Sequence, residues 1–190
     1  MERRSPPFVQ EVQKQHPDKK IEVWFQDEAR FGQLGSLTRV WAQTGSRPSQ
    51  IKQTEYTSAY LIGAVNPVSG VSVGLVFSTI DSDIVNIHLQ MISEKLKPET
   101  HAILIWDNAG FHVAKNLKIP ENITLFPLPP YSPELNPVER LWCWIKNRYL
   151  SNRIFEGLKH LIEAGCEAWN QLQPDLIKSI CHTSWIIHTN

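Results

Sequence analysis

Long apolar runs, paired cysteines and an excess of one charge are all missing from this 190-residue sequence. No apolar stretch approaches the roughly 20 residues of a membrane span, and residues 1–7 lack the apolar core of a signal peptide. The three cysteines, Cys143, Cys166 and Cys181, form neither a CxxC pair nor a zinc-type spacing with histidine. We therefore expect a soluble protein that is not exported, in a reducing compartment, whose cysteines serve packing.

The charges are balanced, with 19 basic and 19 acidic residues and a pI near 7.1. Such a balance is unusual for a whole domain that binds nucleic acid. Residues 140–160 nevertheless form a local basic stretch, in which Glu156 is the one acid. This stretch is either a solvated helix face or, beside a phosphate-binding site, a surface that guides DNA. Its basic residues are Arg140, Lys146, Arg148, Arg153 and Lys159.

The composition predicts a single folded domain. A hydrophobic content of 42% with seven tryptophans argues against disorder, and the length allows one substantial core. Residues 1–20 are polar and interrupted by proline, so they are expected to form a linker or a frayed first helix. The domain itself is expected to span residues 21–190 and to end in a helical tail.

Hydrophobic periodicity predicts an alternating series of strands and helices. The expected strands are 21–27, a short strand at 39–42, a hairpin of 58–65 with 71–77, then 101–106 and 123–126. The expected helices begin at Ser82 and end before Pro98, cover 113–117 briefly, begin again at Asn136, and form the tail at 154–172 and 176–187. Residues Ile84, Ile87, His88, Met91, Ile92 and Leu96 are predicted to form the buried face of the first long helix.

This order predicts an α/β fold with a mixed sheet, in which three antiparallel strands are followed by parallel strands and helices cover both faces. A right-handed crossover places the strand 101–106 beside the strand 21–27. Asp27 and Asp107 each end one of these strands. They are therefore expected at neighbouring carboxyl ends, where open α/β sheets bind ligands. For either aspartate alone, an ordinary strand-end or turn role is the alternative.

A proline-rich approach fixes the start of the helix at Asn136. Asn136 is a good N-cap, Pro137 occupies the favoured first helical position, and Glu139 falls three residues after the cap. The apolar face comprises Val138, Leu141, Trp142, Ile145 and Tyr149. Glu139 is either a capping-box residue that reaches back to the Asn136 N–H or a third acid beside Asp27 and Asp107.

Converging carboxylates repel one another, so a cation between them is expected. With oxygen ligands and no His/Cys set, the suitable ions are Mg²⁺ or Mn²⁺. Two such ions about 3.5 to 4 Å apart activate a hydroxyl on one side of a phosphodiester and stabilise the leaving oxygen on the other. Glu28 and Glu134 are rival acids. Glu28 is expected on the opposite strand face from Asp27, and Glu134 on the surface of a loop.

Four segments carry a family resemblance: WFQDEARF at 24–31, WAQTG at 41–45, WDNAGFH at 106–112 and LPPYSPELNPVERLW at 128–142. They resemble the catalytic domain of DDE transposases, and more closely the bacterial insertion-sequence (six-thirty) relatives of mariner elements. The resemblance implies a ribonuclease-H-like fold and a DDE catalytic domain in which Asp27, Asp107 and Glu139 are the catalytic, metal-binding acids. It also implies two Mg²⁺ ions, for which Mn²⁺ can substitute.

The same resemblance implies cleavage of transposon ends, transfer to target DNA, and a homodimer that pairs the ends. The expected location is the bacterial cytoplasm, in association with the nucleoid. The candidate DNA contacts are Arg30, Asn108, His112, Arg140, Lys146 and Arg148. For His112, packing or capping is the favoured alternative.

Two departures from the resembled pattern leave alternatives open. The interval of 32 positions between Asp107 and Glu139 is slightly short for mariner relatives. The N-terminal helix-turn-helix modules of such enzymes have no counterpart before residue 20, so a separate helix-turn-helix chain is a possible partner. The alternatives to an active transposase are an inactive or partial remnant and a ribonuclease-H-like nuclease that acts on RNA/DNA hybrid.

Overall fold

A computed structural model gives the fold of this protein and describes residues 5–35, 37–49, 51, 53–107, 117–130, 132–184 and 186. The strands are β1 (Lys20–Gly32), β2 (Ser58–Val65), β3 (Ser72–Phe77), β4 (Thr100–Trp106) and β5 (Ile123–Pro127). The α-helices are α1 (Pro7–Gln15), α2 (Ser82–Lys95), α3 (Val138–Ile145), α4 (Leu158–Asn170) and α5 (Pro174–Ile180). A 3₁₀ turn, Pro133–Leu135, precedes α3, and a π-helical turn, Lys146–Leu150, follows it.

The strands form one mixed sheet in the order β3-β2-β1-β4-β5. β1, β2 and β3 are antiparallel neighbours, whereas β4 runs parallel to β1 and β5 runs parallel to β4. The helix α2 connects the antiparallel strands to the parallel ones. This arrangement confirms the predicted mixed sheet and the predicted adjacency of the first strand and the strand before Asp107.

β1 is longer than the sequence pattern predicted, and Asp27 lies in its interior rather than at its end. Pairing with β4 stops at Phe25 and Ile105, but pairing with β2 continues as far as Gly32 and Ser58. The backbone hydrogen bonds of β2 therefore keep the strand extended beyond Asp27. On the β4 side, β1 has an open edge from residue 26 onward in the part of the chain that the structure describes.

Helices cover both faces of the sheet, as predicted, and each face has its own core. On one face Phe25, Leu61 and Ile103 pack with α3 and α4. On the other face Trp24 and Leu104 pack with α2. The buried residues of α2 are Val85, His88, Leu89 and Ile92. The predicted face of this helix was partly wrong, because Ile87 is exposed and Val85 and Leu89 face the sheet instead.

The expectation of a linker or frayed helix over residues 1–20 is corrected for α1. Pro7 starts this helix, and Val9 and Val12 are buried in the core. Phe8 stacks on Phe126 of β5 with ring centroids 4.2 Å apart. These apolar contacts, which the polar composition of the segment obscured, attach α1 to the sheet.

Other predicted boundaries also change. Residues 39–42 form no strand, since Val40 and Trp41 are exposed and the segment is irregular. The tail helices are shorter than predicted: Gly157, with φ 128°, precedes α4, and Pro174 begins α5 rather than interrupting a helix. Most of the brief helix expected at 113–117 lies outside the described residues. No described helix has the length and apolar character that crossing a membrane requires.

Candidate active site

The parallel pairing of β1 with β4 brings two aspartates together. Paired residues differ by a constant 80 positions, from Lys20 with Thr100 to Phe25 with Ile105. The same offset places Asp107, just after β4, opposite Asp27. Carboxylate oxygens of Asp27, Glu28 and Asp107 all lie within 4.8 Å of one another. The Asp27 side chain is buried, Glu28 is half-buried and Asp107 is exposed, so the cluster opens to solvent on one side.

The N-terminus of α3 is hydrogen-bonded directly to β1. The Asn136 side chain donates from Nδ2 to the Gln26 carbonyl at 2.9 Å, and its Oδ1 accepts from the Val138 N–H at 3.2 Å. The predicted helix start near Asn136 is therefore confirmed, and the same side chain also holds the helix against the residue before Asp27. The Asn136 N–H donates to the Pro133 carbonyl at 2.9 Å. This contact occupies the donor that the capping-box alternative assigned to Glu139.

The surroundings of Asp27 disfavour its ionised form. The pKa of Asp27 rises from 3.8 to about 7, first because of burial and then because of the negative charges of Glu139 and Glu28. Hydrogen bonds from the Glu28 backbone and from Trp142 oppose this rise. Glu139 is exposed and does not belong to the 4.8 Å cluster, but its charge reaches Asp27 from the first turn of α3. Among the described residues, the charges that shift the pKa of Asp27 are all negative.

The donor set suits a hard divalent cation. Asp27, Glu28 and Asp107 offer only carboxylate oxygens, without sulfur or imidazole. Carboxylate oxygens are the ligands that Mg²⁺ and Mn²⁺ prefer. Burial and mutual repulsion raise the pKa of Asp27, and a bound cation would favour its charged form. The residues present therefore fit a Mg²⁺ or Mn²⁺ site.

Trp142 connects Asp27 to the packing of the sheet. Its Nε1 donates to Asp27 Oδ2 at 2.9 Å, and its ring lies 5.9 Å from that of Trp169 in α4. Gly63 of β2 pairs with Asp27 across the sheet and with Gly74 of β3 on its other side. Because neither glycine has a side chain, the two indoles lie close against the backbone of β2 and β3. The orientation of Asp27 thus depends on a packed core.

The candidate DNA contacts have different surroundings. Arg30 donates from Nε to Ser58 Oγ at 3.1 Å, and Arg30 and Lys146 line a cleft of about 420 Å³. Arg148 lies over the Trp144 ring at 5.9 Å.

Arg140 donates to the carbonyls of Ile180 and His182, both at 2.9 Å, so it anchors the end of α5, and its contact with DNA stays a prediction. Asn108 and His112 lie outside the described residues.

Sequence reasoning missed several residues of the site. Trp142 was predicted only as part of an apolar face, although it follows Glu139 by three residues and therefore lies beside it on α3. Asn136 was predicted only as a cap. Glu28 was assigned to the opposite strand face, whereas its carboxylate lies within 4.8 Å of those of Asp27 and Asp107.

Comparisons with known proteins give the family and the fold. An uncharacterized protein y4pE/y4sA of Sinorhizobium fredii (strain NBRC 101917 / NGR234) is 46% identical over 129 residues, which cover 67% of this chain and 96% of the relative. The mariner Mos1 paired end complex with Mg has a TM-score of 0.65 at 15% identity, over 95% of this chain and 58% of that chain.

A chain of the simian T-cell lymphotropic virus intasome, in complex with the PP2A regulatory subunit B56 gamma, has a TM-score of 0.52 at 16% identity. The match covers 82% of this chain and 50% of that chain.

The structural matches establish the fold, and they confirm the expected ribonuclease-H-like sheet. This chain spans a little over half the length of the Mos1 chains that it matches. The family follows from the sequence itself, because residues 22–162 match the family described as DDE superfamily endonuclease. The chain belongs to the DDE superfamily of endonucleases.

Proposed function

We propose that this protein is the catalytic domain of a transposase, which cleaves DNA strands at transposon ends and joins them to target DNA. The observation that carries the proposal is the proximity of the Asp27 and Asp107 carboxylates just beyond the point where β1 and β4 stop pairing, next to the N-terminus of α3, which is hydrogen-bonded to β1. Glu139, in the first turn of that helix, is the third acid. The family match and the structural likeness to Mos1 support this assignment.

In this proposal Asp27, Asp107 and Glu139 hold two Mg²⁺ ions, and Mn²⁺ can substitute. When bound, such a pair supplies activation of the attacking hydroxyl and stabilisation of the leaving oxygen. Trp142 orients the Asp27 carboxylate through its N–H, and Asn136 fixes the distance between α3 and β1. Solved Mos1 paired end complexes with Mg and with Mn support the choice of cations.

Replacement of Asp107 tests the function. We expect Asp107→Asn to reduce Mn²⁺-dependent nicking of supercoiled plasmid by at least about 100-fold, because a carboxylate that holds the cations is lost. Asp107 is exposed, so circular dichroism should show an unchanged fold. Glu134→Gln, which removes a charge from the exposed 3₁₀ turn, is the matched control and should keep full activity.

The same assay separates the alternatives. Undiminished metal-dependent nicking by Asp107→Asn would contradict the proposed site. Faster cleavage of an RNA–DNA duplex than of DNA by the wild-type protein would identify a hybrid-cleaving nuclease. A folded wild-type protein that cleaves neither substrate would identify an inactive remnant.

DNA and a second copy of this chain are the proposed partners, and from them we infer a location in the cytoplasm, with the nucleoid. Between β1 and β2, an irregular segment exposes several large apolar side chains, which is typical of an interaction surface. They are Leu37, Val40, Trp41, Ile51 and Tyr56. Mos1 forms paired-end complexes, which supports a homodimer that pairs DNA ends.

Trp41 is the most exposed of these side chains, and its replacement tests the dimer. With a DNA duplex present, light scattering after size-exclusion chromatography should give the mass of a two-chain complex for the wild-type protein. We expect Trp41→Ser to shift this mass to one chain per duplex, while Val68→Ser, an exposed apolar residue of the β2–β3 turn, leaves it unchanged. An unchanged mass for Trp41→Ser would contradict this role of the segment.

A further inference from the structure

The Glu28 side chain starts on the face of β1 opposite Asp27, yet its carboxylate belongs to the acid cluster. Side chains alternate along a strand, so Gln26 and Glu28 share the face opposite Asp27, and Gln26 Nε2 donates to Glu28 Oε1 at 3.3 Å. The Glu28 carboxylate nevertheless lies within 4.8 Å of those of Asp27 and Asp107. Pairing between β1 and β4 ends at Phe25, and no described strand covers this edge of β1 beyond it, so the Glu28 side chain can extend toward the Asp27 face.

A buried hydrogen-bonded row stands behind Glu28. Gln26 and His88 are both fully buried, and Gln26 Oε1 lies 3.1 Å from His88 Nδ1. On the other side of the imidazole, Nε2 lies 3.3 Å from the Val73 carbonyl. The row of hydrogen bonds therefore runs from His88 of α2 through the Gln26 amide to Glu28. Burying a polar group without a hydrogen-bond partner costs free energy, so the Gln26 and His88 side chains are expected to keep the positions in which they are hydrogen-bonded.

We propose that Glu28 is a fourth carboxylate of the metal site, and that Gln26 and His88 are positioning residues that aim it at the cations. The inference rests on the proposed function. Two oxygens that share one Mg²⁺ lie at most about 4.2 Å apart, and the 4.8 Å cluster is close to this limit. Ligating carboxylates are in turn hydrogen-bonded by outer residues, and Gln26 occupies that place behind Glu28.

Mn²⁺ affinity of the protein without DNA tests the role of Glu28 independently of activity. We expect Glu28→Gln to weaken Mn²⁺ binding at least about tenfold in calorimetric titration. Glu134→Gln, which removes an equal charge, should leave the affinity within about twofold. An affinity of Glu28→Gln within twofold of wild type, while Asp27→Asn abolishes binding, would overturn this inference and leave the proposed function standing. Absence of Mn²⁺ binding by the wild-type protein would overturn both.

A double-mutant cycle tests the positioning role. If Gln26 acts through Glu28, Gln26→Met should weaken Mn²⁺ binding about tenfold in the wild-type background and less than twofold in the Glu28→Gln background. Equal losses in both backgrounds would overturn the positioning role, because a merely structural residue would affect both alike. Thermal unfolding identifies a Gln26→Met variant that fails to fold. His88→Gln then replaces it in the cycle, with the same expected and overturning outcomes.

Discussion

Asp27→Asn is expected to stabilise the metal-free protein at pH 8 while it removes metal binding. Asp27 is 8% exposed, and the negative charges of Glu139 and Glu28 act on it, so ionising its carboxyl in the folded state is unfavourable. Its pKa rises from 3.8 to about 7 on folding. A shift of this size corresponds to a destabilisation on the order of 4 kcal/mol above pH 7. The neutral amide of asparagine avoids it and can still accept the Trp142 N–H.

The protonation of Asp27 in the folded and unfolded chain determines how the stability difference between the two proteins changes with pH. Below pH 3.8 the carboxyl is protonated in both the folded and the unfolded chain, and it contributes no difference. Between pH 3.8 and about 7 the unfolded chain has released the proton that the folded chain keeps, so the stability of the wild-type protein falls as pH rises. The stability gained by Asp27→Asn should therefore grow from pH 5 to pH 8.

Urea unfolding in EDTA at several pH values measures this difference. The expected advantage of Asp27→Asn at pH 8 is about 2 to 4 kcal/mol, which corresponds to roughly 5 °C or more in Tm for a chain of this size. Other carboxyl groups titrate in both proteins, so the comparison is the difference between them at each pH. An advantage of the same size at pH 5 and pH 8 would contradict a raised pKa of Asp27.

Metal should reverse the order of stability. Binding requires the ionised carboxylate, so Mn²⁺ is expected to stabilise the wild-type protein more at pH 8 than at pH 6. Asp27→Asn should show little stabilisation by Mn²⁺ at either pH. Unfolding in EDTA measures the destabilisation by the metal-free acid cluster, and unfolding in Mn²⁺ measures the stabilisation by the bound cation. Stabilisation of Asp27→Asn by Mn²⁺ equal to that of the wild-type protein would show that the cation binds elsewhere.

The pattern of apolar residues was sufficient to predict the sheet, because each strand of the β2–β3 hairpin, β4 and β5 is a short apolar run bounded by turn residues. The right-handed crossover then required β4 to lie beside β1. The end of β1 could not be predicted in this way. Its polar residues after Asp27 are held in the strand by the backbone of β2, a non-local contact that leaves no periodic signal in β1 itself.

Side-chain roles were harder to predict than strand order. The sequence predicts Asn136 as an N-cap. Only the fold shows that its side chain also donates to the Gln26 carbonyl and so holds α3 against β1. Likewise, a cluster of basic residues predicted DNA contacts, yet Arg140 bonds backbone carbonyls near the end of α5. Strand alternation places Glu28 on the face of β1 opposite Asp27, but it does not show how far the side chain reaches, and its carboxylate lies within 4.8 Å of that of Asp27.

Gly63→Ala is expected to lower stability and to disturb Asp27, although it adds a single methyl group. A Cβ at Gly63 would lie 2.5 Å from Trp169 Cη2 and 2.8 Å from Trp142 Cη2, distances that force the rigid indoles to move. Overpacking of this kind costs about 1 to 3 kcal/mol, and two fixed rings favour the upper end. The corresponding loss in Tm is roughly 2 to 4 °C for each kcal/mol.

The disturbance should reach the acid cluster through Trp142. Gly63 is the cross-strand partner of Asp27, and displacement of the Trp142 indole weakens the N–H bond that lowers the pKa of Asp27. We therefore expect the Mn²⁺ affinity of Gly63→Ala to fall at pH 7 and to recover in part at pH 8. Gly35→Ala is the matched control, since the nearest atom to its Cβ is at 3.6 Å. A Gly63→Ala protein with the Tm and Mn²⁺ affinity of Gly35→Ala would show that the indoles accommodate the methyl group and that Asp27 is oriented independently of them.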